Sequence, residues 1–287
     1  MRAARIVPVL LTVTAVSAVA FLVTRPSVLA PSPNGNSDTA EASTKILVVG
    51  DNHGDNPVYR RILGAAKTGG YDLFINLADT SENGTEAEFA AVGVLEAELP
   101  FPIVHVVGNH DIKADSTRGS FERAFNPRYL SREIGPAHIV ILDNADRTVG
   151  FDDAELEWLS RDLASNKKAI TLLFFHRPFG LPFASLTGDD ETASSRRSND
   201  RLLTILAEHS VTHVYAGHLH MYLPYSLALP VAGNANEARF IPVTISGGGG
   251  DPTQAALGGP GRSFFHALEL TVTPDGVTER VLPAPTY

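Results

Sequence analysis

The sequence predicts an α/β domain built on a parallel sheet, and two observations carry that prediction. Strand-like and helix-like runs alternate from residue 45 to residue 107, giving two successive βαβ units. Apolar strand-like runs then stop at polar clusters able to ligate a metal or move a proton. These clusters are Asp51-Asn52-His53, Ala78-Asp79, Asn109-His110-Asp111, His176 and Gly217-His218-Leu219-His220. Side chains that share a ligand must converge in space, and strand ends along one edge of a sheet are where α/β proteins bring them together.

With 287 residues, 44% hydrophobic and 19% charged, the chain has ample material for a buried core. It has no cysteine, which excludes disulfides, thiolate metal sites and a cysteine nucleophile. Any metal must therefore be held by nitrogen and oxygen. The formal net charge is -9, and it falls to -12 without Arg2, Arg5 and Arg25 of the first 30 residues. A broad basic surface for nucleic acid is not expected, so phosphate affinity has to come from a local site.

Residues 1–30 have a targeting layout. Arg2 and Arg5 precede an uncharged run from Ile6 to Val23, and Val28-Leu29-Ala30 suits signal-peptidase cleavage. The run is 18 residues long and is interrupted by Pro8, Thr12, Thr14 and Ser17, so a cleaved signal peptide and an uncleaved membrane anchor both remain open. Either one places the rest of the chain outside the cytoplasm, secreted or tethered to the outer face of the membrane. A lipoprotein is excluded for want of a cysteine to acylate. Residues 31–43 read as a flexible linker without large apolar side chains, and the folded domain is expected over 44–287.

Within the domain, Lys45 to Val49 is a strand, Asn56 to Thr68 a helix, Leu73 to Leu77 a strand, Glu86 to Leu99 a helix and Ile103 to Val107 a strand. Ile139 to Leu142 is a strand, Asp152 to Ala164 an acid-started amphipathic helix, and Ala169 to Phe175 a strong strand. Asn199 to His209 is a helix and His213 to Tyr215 a short strand. Ile241 to Ser246, Ser263 to Val272 and Gly276 to Leu282 read as late antiparallel strands. Two polar stretches, Gly180 to Arg197 and Gly233 to Glu237, read as loops, either plain solvent loops or lids. Gly247 to Gly250 lacks the Lys-Ser/Thr of a nucleotide phosphate loop and reads as a tight backbone passage.

Singly, each polar cluster has a plain explanation. Gly108 and Asn109 tolerate the left-handed backbone region, as a turn requires. Any one histidine fits a satisfied core position. Asp-x-His, Asp, Asn-His-Asp, His and His-x-His in that order, each at a strand end, closely resemble the calcineurin-like metallophosphoesterase family. The resemblance spans about Ile46 to His220, and Ile241 to Gly250 also looks like the late strand and glycine turn of such domains.

The resemblance implies a four-layer α/β/β/α sandwich of two mixed sheets with a dinuclear metal site at strand ends. It implies that Asp51, His53 and His220 hold one ion, that Asn109, His176 and His218 hold the other, and that Asp79 bridges them. His110 is then left as the proton donor to the leaving group, a role that suits a side chain titrating near neutrality. Asp111 either orients that imidazole or caps the next segment, and Arg177 is either a phosphate contact or a salt-bridged surface residue. His218 and His220, two apart, would lie on one side of an extended segment with Leu219 on the other.

Elementary electrostatics agrees with this set. Two divalent ions against Asp51 and Asp79 keep a positive surplus that attracts phosphate, and a neutral Asn109 preserves it. Histidine and carboxylate without thiolate suit Zn, Mn, Fe or Ni better than Mg or Ca.

Two departures stand out. Ala78 occupies a position that is usually glycine, which costs about 1 kcal/mol if the backbone there has positive φ and little otherwise. Glu82 stands where purple acid phosphatases carry a tyrosine, so no iron-tyrosinate site is expected, and Glu82-Asn83-Gly84 lacks the arginine of the protein serine/threonine phosphatases.

The leading expectation is an exported phosphoesterase acting on monoesters or diesters, with in-line attack by a hydroxide held between two metals. Its partners would be a small-molecule phosphoester and, through residues 6–23, a membrane. The competing expectation is a catalytically silent metal-binding or cell-surface binding domain on the same fold. His105, His138, His209, His213 and His266 match no motif and are expected to be satisfied core or surface residues, and Trp158 is expected to pack in the core.

Overall fold

The computed structural model describes residues 43–181, 192–231, 238–250 and 264–285, all within one unit, Asp38–Tyr287. The targeting segment and linker lie outside the described residues, as do most of the Gly180 to Arg197 stretch and the Gly233 to Glu237 loop. Among the described residues, no helix is long and apolar enough to cross a membrane.

The chain runs β1 (Thr44–Val49), α1 (Pro57–Ala66), β2 (Leu73–Asn76), α2 (Glu86–Glu96), β3 (Ile103–His105) and α3 (Gly119–Ala124). It continues through β4 (Leu130–Ile134), β5 (Ala137–Ile141), α4 (Asp153–Ser165), β6 (Ile170–Phe175), α5 (Ala193–Glu208) and β7 (His213–Ala216). The last strands are β8 (Tyr222–Pro230), β9 (Ala238–Ser246), β10 (His266–Thr273) and β11 (Gly276–Pro283). Two mixed sheets result, in the orders β11-β10-β1-β2-β3 and β4-β5-β6-β7-β9-β8.

Period-two alternation of side chains explains why the sheets stack as inner layers. On β1, Ile46 and Val48 join Ile139, Ile141, Leu172 and Phe174 of the other sheet in one fully buried core. Leu47 and Val49 face the other way, onto Val58, Ile62 and Leu63 of α1 and Val92 of α2. The second sheet repeats the arrangement, with Val140, Leu173, Phe175 and Val214 packed on Leu156, Leu159 and Leu163 of α4 and Leu202, Ile205 and Leu206 of α5. The order is α/β/β/α, and strands covered on both faces carry the continuous apolar runs seen in the sequence. Trp158 packs at the edge of that second helix–sheet core, against Tyr129 at 5.0 Å.

Five elements differ from expectation, two of them, α3 and β4, simply not placed by the sequence reading. Helix α5 begins at Ala193, inside the stretch expected to be a loop up to Arg197. Thr192 caps it through Ser195 N at 3.0 Å, and Ser198 Oγ accepts from Phe151 N at 3.2 Å. Small polar side chains packed at close range hold its first turns, so apolar periodicity gives no sign of them. Strand β9 is not simply antiparallel, because it pairs parallel with β7 (Val214↔Val243) and antiparallel with β8. Strand β8 went unread because Pro224 and Pro230 break its pattern, which is tolerable at the edge position it occupies.

Candidate metal centre

Five strand ends meet at one edge of the two sheets. The loop after β1 is stitched to the loop after β2 by Asp51 N to Ala78 O (3.0 Å), His53 N to Asp79 O (2.8 Å) and Gly54 N to Thr80 O (2.8 Å). Holding them in this register forces left-handed backbone at residues that disfavour it. Asp51 (φ 58°), His53 (49°), Ala78 (75°), Asp79 (45°) and His218 (69°) are five of the six positive-φ non-glycine residues among those described. Ala78 thus has the conformation in which its methyl group is costly. Gly108 is needed for a different reason from the turn chemistry expected of it. Neither Gly108 nor Asn109 has positive φ, but a Cβ on Gly108 would lie 2.2 Å from Asp79 Oδ1. Gly217 and Gly247 likewise leave room for Asp51 Oδ2, which a Cβ on either would approach to 2.7 and 2.8 Å.

Around this frame the ligand-type atoms form three overlapping sets, each within 4.8 Å internally: Asp51, His53 and His220; His53, Asp79 and His110; and Asp79, His176 and His218. Asp79 belongs to two of them. Its Oδ2 lies 3.3 Å from His176 Nε2 and 3.7 Å from His53 Nε2, while Oδ1 accepts from His110 N at 2.9 Å. Asn109 Oδ1 lies 2.9 Å from His176 Nε2. Asp51 accepts from His218 N at 2.9 Å and lies 3.5 Å from His220 Nε2. The His218–Leu219–His220 segment is not extended as expected. The positive φ of His218 and the tight Leu219 N to Gly217 O bond (2.8 Å) make a turn, so the two histidines enter different sets while Leu219 still points into the core.

The electrostatics suit cations. Burial works against the Asp79 carboxylate, yet the charges of His176, His110 and His53 outweigh it and hold its pKa far below the usual range. Burial lowers the pKa of His218 well below its ordinary value, reinforced by His176 and Arg177, so its imidazole is neutral as ligation requires. His53 Nε2 and His176 Nδ1 are buried without a hydrogen-bond partner. Buried polar atoms are nearly always paired, and an orphaned His53 Nε2 facing Asp79, with His176 Nε2 set between the oxygens of Asn109 and Asp79, suits an all-nitrogen-and-oxygen dinuclear site. The residues fit the group.

Asp111 lies below this cluster. Its oxygens accept from Thr80 N, Ser81 N, Ser81 Oγ and Gly108 N at 2.8–3.2 Å, and none of these bonds goes to His110. These contacts match neither expected role, since the carboxylate fastens the β2 loop to the β3 loop instead of orienting His110 or capping the next segment. Burial and the neighbouring Asp79 push its pKa up to about 6. Burial also lowers the pKa of His110, whose Nδ1 lies 3.0 Å from Glu82 O and 2.7 Å from Lys113 Nζ. Arg177 is buried rather than a surface residue and reaches the cluster, with Nη1 3.2 Å from His218 Nε2.

Sequence reading missed the residues that support this set. Asn144 Oδ1 accepts from the backbone N of both His176 and Arg177, at 3.1 and 2.9 Å, and its Nδ2 donates to Arg177 O at 2.8 Å. It follows the β5 strand just as the recognised clusters follow theirs, so the same signal was present. Asn52 joins the first two loops through Gly54 O and Thr80 O, both at 3.1 Å. Four of the histidines set aside are bonded inside the protein, His105 by Glu96 and Thr80, His138 by Asp162, His213 by Thr244, and His266 by Ser246, although Nδ1 of His138 is buried without a partner.

Comparison with known proteins agrees with this geometry. Among solved structures, a purple acid phosphatase, PPD1, from yellow lupin (Lupinus luteus) seeds aligns at TM-score 0.66 and 15% identity over 86% of this chain and 53% of that one. The chain thus spans about half the length of the lupin protein. GAP50, described as the anchor in the inner membrane complex of Plasmodium, aligns at TM-score 0.58 and 10% identity over 85% of each chain. A dimetal phosphatase from Danio rerio aligns at TM-score 0.53 and 13% identity over 84% of this chain and 99% of that one. At such identities these likenesses establish the fold alone. No curated protein sequence matches the chain. The sequence profile of the calcineurin-like phosphoesterases matches residues 44–222, which carry all the strand-end clusters, and the chain belongs to that family.

Proposed function

We propose that this protein is an exported phosphoesterase. Its ions would be held by Asp51, His53 and His220 on one side and by Asn109, His176 and His218 on the other, with Asp79 between them. The observation that carries this reading is the overlap of the ligand sets at Asp79, beside the buried His53 Nε2 without a partner. Bound there, two divalent ions would supply charge for the phosphoryl oxygens and lower the pKa of an attacking water.

The chain's own residues do the rest. His110 has its ring hydrogen bonds at Nδ1, which leaves Nε2 to carry the proton to a leaving oxygen. Its backbone N–H, donated to Asp79 Oδ1, fixes the distance between acid and bridge. Arg177, held by Asn144 and Ala145 O, directs a guanidinium toward a phosphoryl oxygen from the His218 side. Because one neighbour of this fold is described as an anchor, the fold does not separate enzyme from binding domain. A silent domain has no use for a proton donor placed against the bridge, which supports the enzyme. Export rests on Arg2, Arg5 and the apolar run to Val23, followed by cleavage or retention as a tether.

The test is a screen of the purified full chain against aryl phosphomonoesters and diesters, cyclic nucleotides and phospholipid head groups, with Mn and Zn supplied separately. Ion-dependent turnover of at least one class is expected. Ion binding without turnover of any class would favour the silent binding domain.

A further inference from the structure

Glu82 takes part in more of the site than its half-exposed side chain suggests. Its Oε2 lies 2.9 Å from His53 Nδ1. Its Oε1 lies 3.2 Å from Lys113 Nζ and 3.3 Å from His110 Nδ1, and its backbone carbonyl lies 2.9 and 3.0 Å from those same two atoms. The two imidazoles it touches meet edge to face, 4.3 Å between centroids.

A carboxylate accepts hydrogen bonds and does not donate them, so the 2.9 Å contact puts a ring proton on His53 Nδ1. The other nitrogen, Nε2, is the buried one without a hydrogen-bond partner, 3.7 Å from Asp79 Oδ2. Without Glu82 a neutral imidazole exchanges between tautomers, and the second tautomer puts an N–H where an ion has to sit. Burial opposes ionisation of Glu82, but hydrogen bonds from His53 and Lys113 prevail and keep its pKa below the usual range. Lys113 also balances the added negative charge, so the pull of the site on a phosphate anion is preserved.

We propose that Glu82 is a positioning residue that holds the His53 proton on Nδ1 and so aims the Nε2 lone pair at the ion shared with Asp51 and His220. The tautomer assignment stands on the contacts alone, and its consequence for the ion rests on the dinuclear reading above.

Long-range 1H–15N spectra of the metal-free full chain read the tautomer directly. Wild type and Glu82→Gln, whose amide oxygen still accepts, should show His53 with its proton on Nδ1, and Glu82→Ala should show a mixture. In a Mn2+ titration, Glu82→Ala should bind one ion about ten- to a hundred-fold more weakly and the other about as wild type does, with Glu82→Gln close to wild type for both. Wild-type tautomer and affinities in Glu82→Ala would overturn the proposal. Equal weakening of both ions would also overturn it, since Glu82 would then merely support the loop. Should Glu82→Ala fail to fold, a proton on Nε2 of His53 in wild type or Glu82→Gln overturns it equally. A wild-type chain with the proton on Nδ1 that binds no ion would refute the dinuclear reading and uphold the tautomer.

Discussion

Two buried polar networks lie a few residues apart along the same strands, and only one of them leaves imidazole nitrogens unpaired. Behind the strand ends, His105 has both ring nitrogens paired, with Glu96 Oε2 at 2.9 Å and Thr80 Oγ1 at 3.1 Å, and Glu96 Oε1 is met by Tyr59 and Asn76. In front, His53 and His176 each keep one buried nitrogen without a partner. Both networks contain histidine, carboxylate and amide side chains, so the presence of these types does not separate them. What separates them is the imidazole, since the atom without a partner in the rear network is an amide oxygen, Asn76 Oδ1. A histidine with both nitrogens paired inside the protein holds loops in place, and one that keeps a bare nitrogen facing a carboxylate, as His53 Nε2 faces Asp79 Oδ2, is arranged for something from outside.

The two networks should fail differently when cut. Asp79→Ala removes the carboxylate common to two ligand sets, so elemental analysis should find both ions gone and turnover lowered about a thousand-fold or more. Retention of both ions would remove Asp79 from the bridge. Glu96→Ala should do the reverse, leaving His105 buried without its partner. Chemical denaturation should show a loss of about 3 kcal/mol with ion content unchanged. A loss of metal in that variant would erase the distinction between the networks.

His110→Ala probes the boundary between them. Metal content should hold while turnover falls about a hundred-fold on an alkyl ester and far less on a p-nitrophenyl ester, whose leaving group departs without a proton. Equal losses on both would make His110 a substrate-positioning residue. The smallest effect concerns the strained frame. Ala78→Gly loses a buried methyl but relieves a left-handed alanine, so its stability should stay within about 0.5 kcal/mol of wild type. Ala137→Gly, in the same core at ordinary φ, should lose about 1.5 kcal/mol. Equal losses would mean that the positive φ of Ala78 stores no strain.

Much of this was legible in the sequence because strand-end chemistry interrupts apolar runs sharply. The strand alternation and the convergence of the polar clusters follow from such signals, while the α/β/β/α layering was implied by the family resemblance. Supporting residues were harder to read. Glu82 was noticed only for the tyrosine it replaces, because its contacts to His53, His110 and Lys113 depend on how two loops fold together. Asp111 sits directly beside a histidine in sequence but bonds backbone groups 30 and 31 residues away. Helix α5 starts on small polar residues whose role is close packing, which carries no hydrophobic period.

The central claim is that the network at the strand ends is a dinuclear hydrolytic centre, and the most direct test is to strip the full chain with chelator and titrate Mn2+ or Zn2+ back. Close to two ions per chain should bind, with phosphoester hydrolysis absent beforehand and restored as the sites fill. Hydrolysis that survives complete removal of metal, or a stripped chain that takes up no ion, would contradict it.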